Sequence, residues 1–175
     1  KVHPLVKFHI HSTTADEIKE RIENGLLDMG LVTEPVDISK YNFFRLPQKE
    51  QWGILVHEKH RLAQKTFITP DDLINEPLII AKRTAVQNEL INWFNNSSEK
   101  LNIVATYNLI LNAANMVKHQ IGVALCFNLN FDNLYQDLRF IPLFPEIKTG
   151  AVLIWKKNHI YSQTMSHFIK SIKNA

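Results

Sequence analysis

The side chains able to do chemistry fall into a few small groups. His9 and His11 occupy alternate positions, and His57 and His60 stand three apart. Alternation puts the first pair on one face of an extended strand. A metal site needs a third ligand at a matching spacing, and neither pair has one, so surface histidines are the better reading. Asp71 and Asp72 pair two carboxylates, but they follow Pro70 at a helix start. There they oppose the positive end of the helix dipole, which is capping rather than general acid–base chemistry. Cys126 sits in the apolar run Val123–Phe127 and reads as a small buried hydrophobe. The chain has no Gly-x-Ser-x-Gly elbow, no glycine-rich phosphate loop and no His-Glu-x-x-His. The expectation is a protein that is not an enzyme and uses no metal and no cofactor.

The remaining candidates are binding residues, and elements must position them. In open α/β sheets, ligands collect at the carboxyl ends of strands where adjacent connections diverge. That rule selects Thr33 after the strand around Asp28–Val32, and Lys82 and Arg83 after Leu78–Ala81. It also selects Thr106, Tyr107 and Asn108 after Ile103–Ala105, and Asn128 after Val123–Phe127. Each threonine equally suits a helix cap or a turn. Ser12-Thr13-Thr14 is fully explained by capping. Lys82 and Arg83 could neutralise an acidic ligand, although exposed basic residues need no special reason.

The elements themselves follow from periodicity. Val6–His11 alternates apolar and polar residues and predicts a strand. Thr14 and Glu17 form a capping box, Ile18 and Ile22 lie one turn apart, and Asn24-Gly25 ends the helix with a left-handed residue. Leu26–Val32 is a short apolar strand, so this stretch predicts a βαβ unit. Further strands are expected at Phe43–Leu46, Trp52–Val56, Leu78–Ala81, Ile103–Thr106, Val123–Phe127, Phe140–Leu143 and Ala151–Trp155. Helices are expected at Pro70–Ile74, about Val86–Asn96, about Leu109–Gln120 and Ser162–Lys173. His57–Thr69 reads as a connection. Alternation of strands and helices argues for an α/β fold with mostly parallel sheets.

Bulk properties narrow the function. Hydrophobic residues make up 45% and charged residues 21% of 175, a globular balance that excludes disorder. The net charge of +3 comes from scattered Lys and Arg, with no basic stripe to lie along nucleic acid. No apolar run approaches the ~20 residues that span a bilayer. One cysteine cannot staple the chain and fits a reducing compartment, so the cytoplasm is the expected location. The opening Lys1-Val2-His3-Pro4 is neither a signal peptide nor a starting methionine, and reads as a chain entered in mid-domain.

Several segments resemble one family in order and spacing. Gly25–Val32 looks like a "G-x-L-D-x-G-hydrophobic" strand, and Asp72-Leu73 with Pro77-Leu78-Ile79 resembles a "D-L, three residues, P-L-I" segment. Val117–Leu125 resembles a "V-x-x-G-x-G-hydrophobic" turn, with Gln120 where the first glycine often stands. His60–Ala63 resembles "H-P-L-A", with Arg61 in place of the proline. These segments are similar to the effector-binding domain of LysR-type transcriptional regulators.

The resemblance implies two Rossmann-like lobes of the type 2 periplasmic-binding-protein kind. The first lobe would hold residues 1–57 and 161–175, the second 58–160. The resemblance also implies that a strand and a helix of the first lobe precede Val2, and that DNA is bound by a separate N-terminal helix-turn-helix domain. A small effector, a carboxylate or an amino acid, would bind between the lobes, with Thr33 and Thr106 placing hydroxyls against it. A homodimer or tetramer is expected, in which Val6–His11 approaches the helix of Trp93 and Phe94 of a second copy. The alternatives are a transporter's solute-binding protein and an enzyme on the same fold.

Overall fold

A computed structural model describes residues 4–94, 101–131 and 135–173. The chain divides into two compact units, one of residues 1–46 with 151–175 and one of 47–150. The divisions fall at Leu46–Pro47 and Gly150–Ala151, rather than near His57 and Tyr161 where the sequence reading put them. Both lie inside continuous strands, β2 (Tyr41–His57) and β7 (Lys148–Lys156). A strand that runs through a crossing leaves no break in pattern to mark it. The polar stretch Pro47–Gln51 had suggested two strands where β2 is one of 17 residues.

Unit 2 is built on a sheet in which β5 (Val123–Phe127) lies between β2 and β3 (Pro77–Ala81), with β4 (Asn102–Tyr107) at the edge. β3 is parallel to both β4 and β5, whereas β2 is antiparallel to β5 and to β6 (Leu138–Pro142). The α/β architecture holds, with mixed rather than mostly parallel sheets. The parallel part is the β3–β4–β5 block, whose strands are joined by helices. The long strand β2 supplies the antiparallel part.

Period-two alternation explains why this sheet is covered on both faces. Leu78 and Ile80 of β3, Val123 and Leu125 of β5, and Ile54 and Val56 of β2 share one core. Over it lies α3 (Thr84–Trp93) through Val86, Leu90, Trp93 and the following Phe94. Ile79, Leu55, Ala124 and Cys126 point the other way, to Ala113, Ala114 and Val117 of α4 (Ile110–Lys118). α2 (Pro70–Leu73) and a 3₁₀ turn at Arg61–Gln64 add Leu73 and Leu62 to the first core. The expected end of the α3 helix at Asn96 lies outside the described residues.

Trp93 and Phe94 are 8% and 2% exposed, and the Trp93 indole donates to the Pro145 carbonyl at 2.8 Å. One core takes both rings, which meet edge to face with centroids 4.9 Å apart.

Unit 1 pairs β1 (Gly30–Thr33) antiparallel with β7. Val32, Val152 and Ile154 face Ile18 and Ile22 of α1 (Ala15–Glu23), and Leu153 and Trp155 face α5 (Gln163–Lys173). The C-terminal helix thus packs on β7, and only Met165 of its apolar residues is fully buried. Phe168, Ile169 and Ile172 are half-buried. Val6–His11 is not a strand. Its alternation is real, but it has no ladder partner, and Phe8 and Ile10 remain 66% and 91% exposed, Phe8 against Phe168 at 5.7 Å. The expected βαβ unit therefore reduces to α1 and β1.

Candidate functional site

The carboxyl ends of β3, β4 and β5 come together in unit 2, and six of the seven expected ligand-binding residues stand there. β3 leaves into α3 on one face of the sheet, while its neighbour β4 leaves into α4 on the opposite face. Connections that diverge from adjacent parallel strands open a crevice between them. The Lys82 N–H donates to the Tyr107 carbonyl at 2.8 Å, which ties the two strand ends at the floor of that crevice.

Side chains around it differ in what they offer. Lys82, Thr106, Asn108 and Asn128 are exposed, and Arg83 is half-buried. Arg83 is the N-cap of α3, its carbonyl accepting from the Val86 and Gln87 N–H groups at 3.1 and 3.0 Å. Leu109 is the N-cap of α4. Neither cap residue uses its side chain to satisfy the helix. Both helix starts therefore keep the partial positive character of unclaimed N–H groups, which favours an anion nearby.

Asn108 and Asn128 are partly committed. The Asn108 Oδ1 accepts from the Leu109 N–H at 3.0 Å and from the Asn112 amide at 3.5 Å. The Asn128 Oδ1 accepts from the Asn130 N–H at 3.0 Å, and its own N–H donates to the Gln51 carbonyl. Each Nδ2 amino group is the part left to reach outward.

Tyr107 takes a different place. Its ring packs with the α4-side core, and its hydroxyl donates to the Leu125 carbonyl at 2.8 Å. Burial pushes its phenol above the ordinary tyrosine range, so it stays protonated. It braces β4 against β5 and keeps its hydroxyl away from the crevice.

Thr33 belongs to unit 1, where it ends β1 half-buried opposite Ala151 of β7. Glu34 is next in the chain. Its carboxylate accepts from Arg45 Nε at 3.0 Å, so its charge is balanced locally.

Two features escaped the sequence reading. Gln87, one turn into α3, reaches back to donate to the Ala81 carbonyl at 2.9 Å and secures the end of β3. Trp52 Nε1 donates to the buried Thr149 hydroxyl at 2.8 Å, and that hydroxyl donates to the Glu89 carboxylate at 3.3 Å. Only the indole hinted at this: a tryptophan in an apolar strand needs an acceptor once buried. Buried Cys126 has its thiol pushed up by the apolar surroundings, in keeping with its reading as a packing residue. Among the described residues, no group of His, Cys, Asp or Glu is placed to hold a metal ion.

Residues 1–175, the whole chain, match the model described as the LysR substrate binding domain. The chain belongs to that family. It is 22% identical over 132 residues to an uncharacterized HTH-type transcriptional regulator, YvbU of Bacillus subtilis (strain 168), covering 75% of this chain and 44% of YvbU. The chain spans about half the length of the curated relatives it matches.

Among solved structures it resembles the effector binding domain of QuiR in complex with shikimate. The TM-score is 0.82 and the identity 17%, over 97% of this chain and 81% of QuiR. The BenM effector binding domain with its effector benzoate gives a TM-score of 0.72 at 18% identity, over 99% of this chain and 80% of that one. At such identities the likeness is one of fold. These LysR-family matches favour a regulator over a transporter's solute-binding protein, and among the described residues no helix is long and apolar enough to cross a membrane.

Proposed function

We propose that this LysR-family domain is the sensing part of a cytoplasmic transcriptional regulator. Its effector is a small carboxylate, amino acids included, and the ligand leaves unchanged. DNA is contacted by a separate helix-turn-helix domain, and the regulator works as a homodimer or tetramer. The observation that carries this reading is the crevice at the ends of β3 and β4. Lys82 and Arg83 bring cations, Thr106 and Asn108 bring neutral donors, and two helix starts face it without side-chain caps. Among the described residues named there, none forms a titratable pair disposed to move a proton on a substrate. That QuiR is solved with shikimate and BenM with benzoate, both carboxylates, supports the same class of ligand.

Binding to the folded state alone stabilises it, by about 2.7 kcal/mol at a hundred times the dissociation constant. For a domain of this size the melting temperature should rise by roughly 5–10 °C. A thermal-shift screen of small organic acids, amino acids, and their amides tests the class. Thr106→Ala should then weaken any acid that binds by roughly 1.5–3 kcal/mol, the worth of one hydrogen bond to a charged group. Stabilisation by neutral or cationic compounds only, or an undiminished response in Thr106→Ala, would overturn the assignment.

A further inference from the structure

Gln87 stands in the unit 2 crevice in a way that its bracing of β3 does not exhaust. The Lys82 N–H points to β4, where it donates to the Tyr107 carbonyl. A trans peptide directs its C=O and N–H to opposite sides, so the Ala81 carbonyl of the same peptide points to β5. β3 and β5 are paired at Leu78–Val123 and Ile79–Ala124, although the strands run on to Ala81 and Phe127. Beyond Ile79 the ladder opens. Side chains meet the carbonyls it leaves: Gln87 Nε2 donates to Ala81 at 2.9 Å, and the Tyr107 hydroxyl to Leu125 at 2.8 Å.

This fixes which way the Gln87 amide faces. Only its nitrogen carries hydrogens, and its oxygen against the Ala81 carbonyl would set two acceptors together. Oε1 is therefore the end left over, with no hydrogen-bond partner among the described residues. The neighbouring side chains offer hydrogens instead. Lys82 is an exposed ammonium, and the Oδ1 atoms of Asn108 and Asn128 are taken by backbone N–H groups, leaving each Nδ2. Gln87 places an acceptor among these donors.

We infer that Gln87 is a specificity-determining residue of this crevice, accepting from a hydroxyl on the ligand, so that the effector is a hydroxy acid. This effector class rests on the sensing role proposed above and narrows it. A plain carboxylate answers Lys82 and the two amides. Once water is displaced it leaves Gln87 Oε1 without a donor, which weakens binding. A site that hydrogen-bonds a ligand hydroxyl discriminates against the analogue lacking it.

An ammonium in place of the hydroxyl fits less well. It would bring a second cation towards Lys82, and among the described residues these strand ends carry no carboxylate to receive it. Glu89, the acid of α3, stands on another face from Gln87, because residues two apart on a helix do not face each other. Its carboxylate accepts from the Thr149 hydroxyl instead.

The test is a titration of the chain with two matched series, lactate, propionate and alanine, and mandelate, phenylacetate and phenylglycine. Binding is followed on the Lys82 backbone N–H and the Gln87 side-chain amide resonances. The hydroxy acid of a series should bind roughly tenfold more tightly than the acid without the hydroxyl, and more tightly than the amino acid. Gln87→Met removes acceptor and brace together, whereas Gln87→Lys keeps a donor for Ala81 and removes only the acceptor. Both should bring the ratio of hydroxy to plain acid to within about twofold, read on Lys82. A purely structural role would weaken the two acids alike and leave the ratio unchanged. Equal binding of hydroxy and plain acids, tighter binding of the amino acid, or a preference that survives both substitutions would overturn the inference. If the thermal-shift screen finds only acids without a hydroxyl, this inference fails alone; if it finds no acid, the sensing role fails with it.

Discussion

Gly25 and Gln120 do the same job at the ends of α1 and α4, one with no side chain and one with a long one. In each, the left-handed residue gives its N–H to a carbonyl three residues back and the next N–H reaches five back. Gly25 bonds to Ile22 and Leu26 to Arg21; Gln120 bonds to Val117 and Ile121 to Met116. The φ angles are +69° and +57°. Both ends are Schellman caps, whose left-handed position favours glycine.

Gln120→Gly should therefore stabilise the fold. Relief of left-handed strain is worth about 1–2 kcal/mol, and part is lost to the freer unfolded chain, leaving roughly 0.5–1 kcal/mol. Urea unfolding should show a higher midpoint at an unchanged slope.

Two residues on, the sign reverses. A Cβ at Gly122 would lie 2.4 Å from the Pro77 carbonyl oxygen, where β5 starts beside β3. Gly122→Ala forces backbone apart and should cost on the order of 1–3 kcal/mol. The same unfolding experiment on both variants separates conformational strain from close approach.

Tyr107→Phe removes the hydroxyl that braces β4 against Leu125. The expected loss of stability is about 1 kcal/mol, the net worth of one neutral hydrogen bond. Affinity for an effector should stay the same, because that hydroxyl does not face the crevice. A variant that loses binding while keeping its melting temperature would return Tyr107 to the ligand-contacting set.

Those residues also show what the sequence could reveal. Strand ends were legible because Leu78–Ala81 and Val123–Phe127 are apolar runs bounded by polar residues, and the candidates after them do gather at one crevice. Side-chain direction was not legible. Tyr107 and Thr106 are adjacent, and only the packing of α4 decides that the tyrosine turns inward. Val6–His11 has a strand's alternation, yet a strand is made by its neighbour, which periodicity cannot supply. The crossings at Leu46–Pro47 and Gly150–Ala151 were invisible for the opposite reason: β2 and β7 continue through them unbroken.

Asp72 makes one pH prediction. Burial alone would raise its carboxyl, but Lys65 and the N–H and hydroxyl of Thr69 hold it below the usual aspartate value. A depressed folded pKa means stability that is present above the unfolded value and lost as pH falls through the folded one. Asp72→Asn should lower the melting temperature near neutral pH. The gap to the parent chain should close in acid, as pH falls through the depressed folded value.

Glu89 should behave in the opposite sense. Burial pushes its carboxyl up, and the hydrogen bond from Thr149 only partly offsets this. The charged form is therefore disfavoured by folding, at a cost present at neutral pH. That cost is relieved as pH falls through the raised folded value towards the ordinary glutamate range. Glu89→Gln keeps an oxygen to accept from the Thr149 hydroxyl, which in turn accepts from Trp52. Removing the charge should raise the melting temperature at about pH 7.5 and change it little in acid below the ordinary glutamate value, where the parent carboxyl is protonated in both states. The change should be modest, since Glu89 is not fully enclosed and water screens part of the cost. Parallel melts of the two proteins across that range decide it. If Glu89→Gln instead lowers the melting temperature at neutral pH, the carboxylate is stabilising the Trp52–Thr149 contact rather than being tolerated beside it.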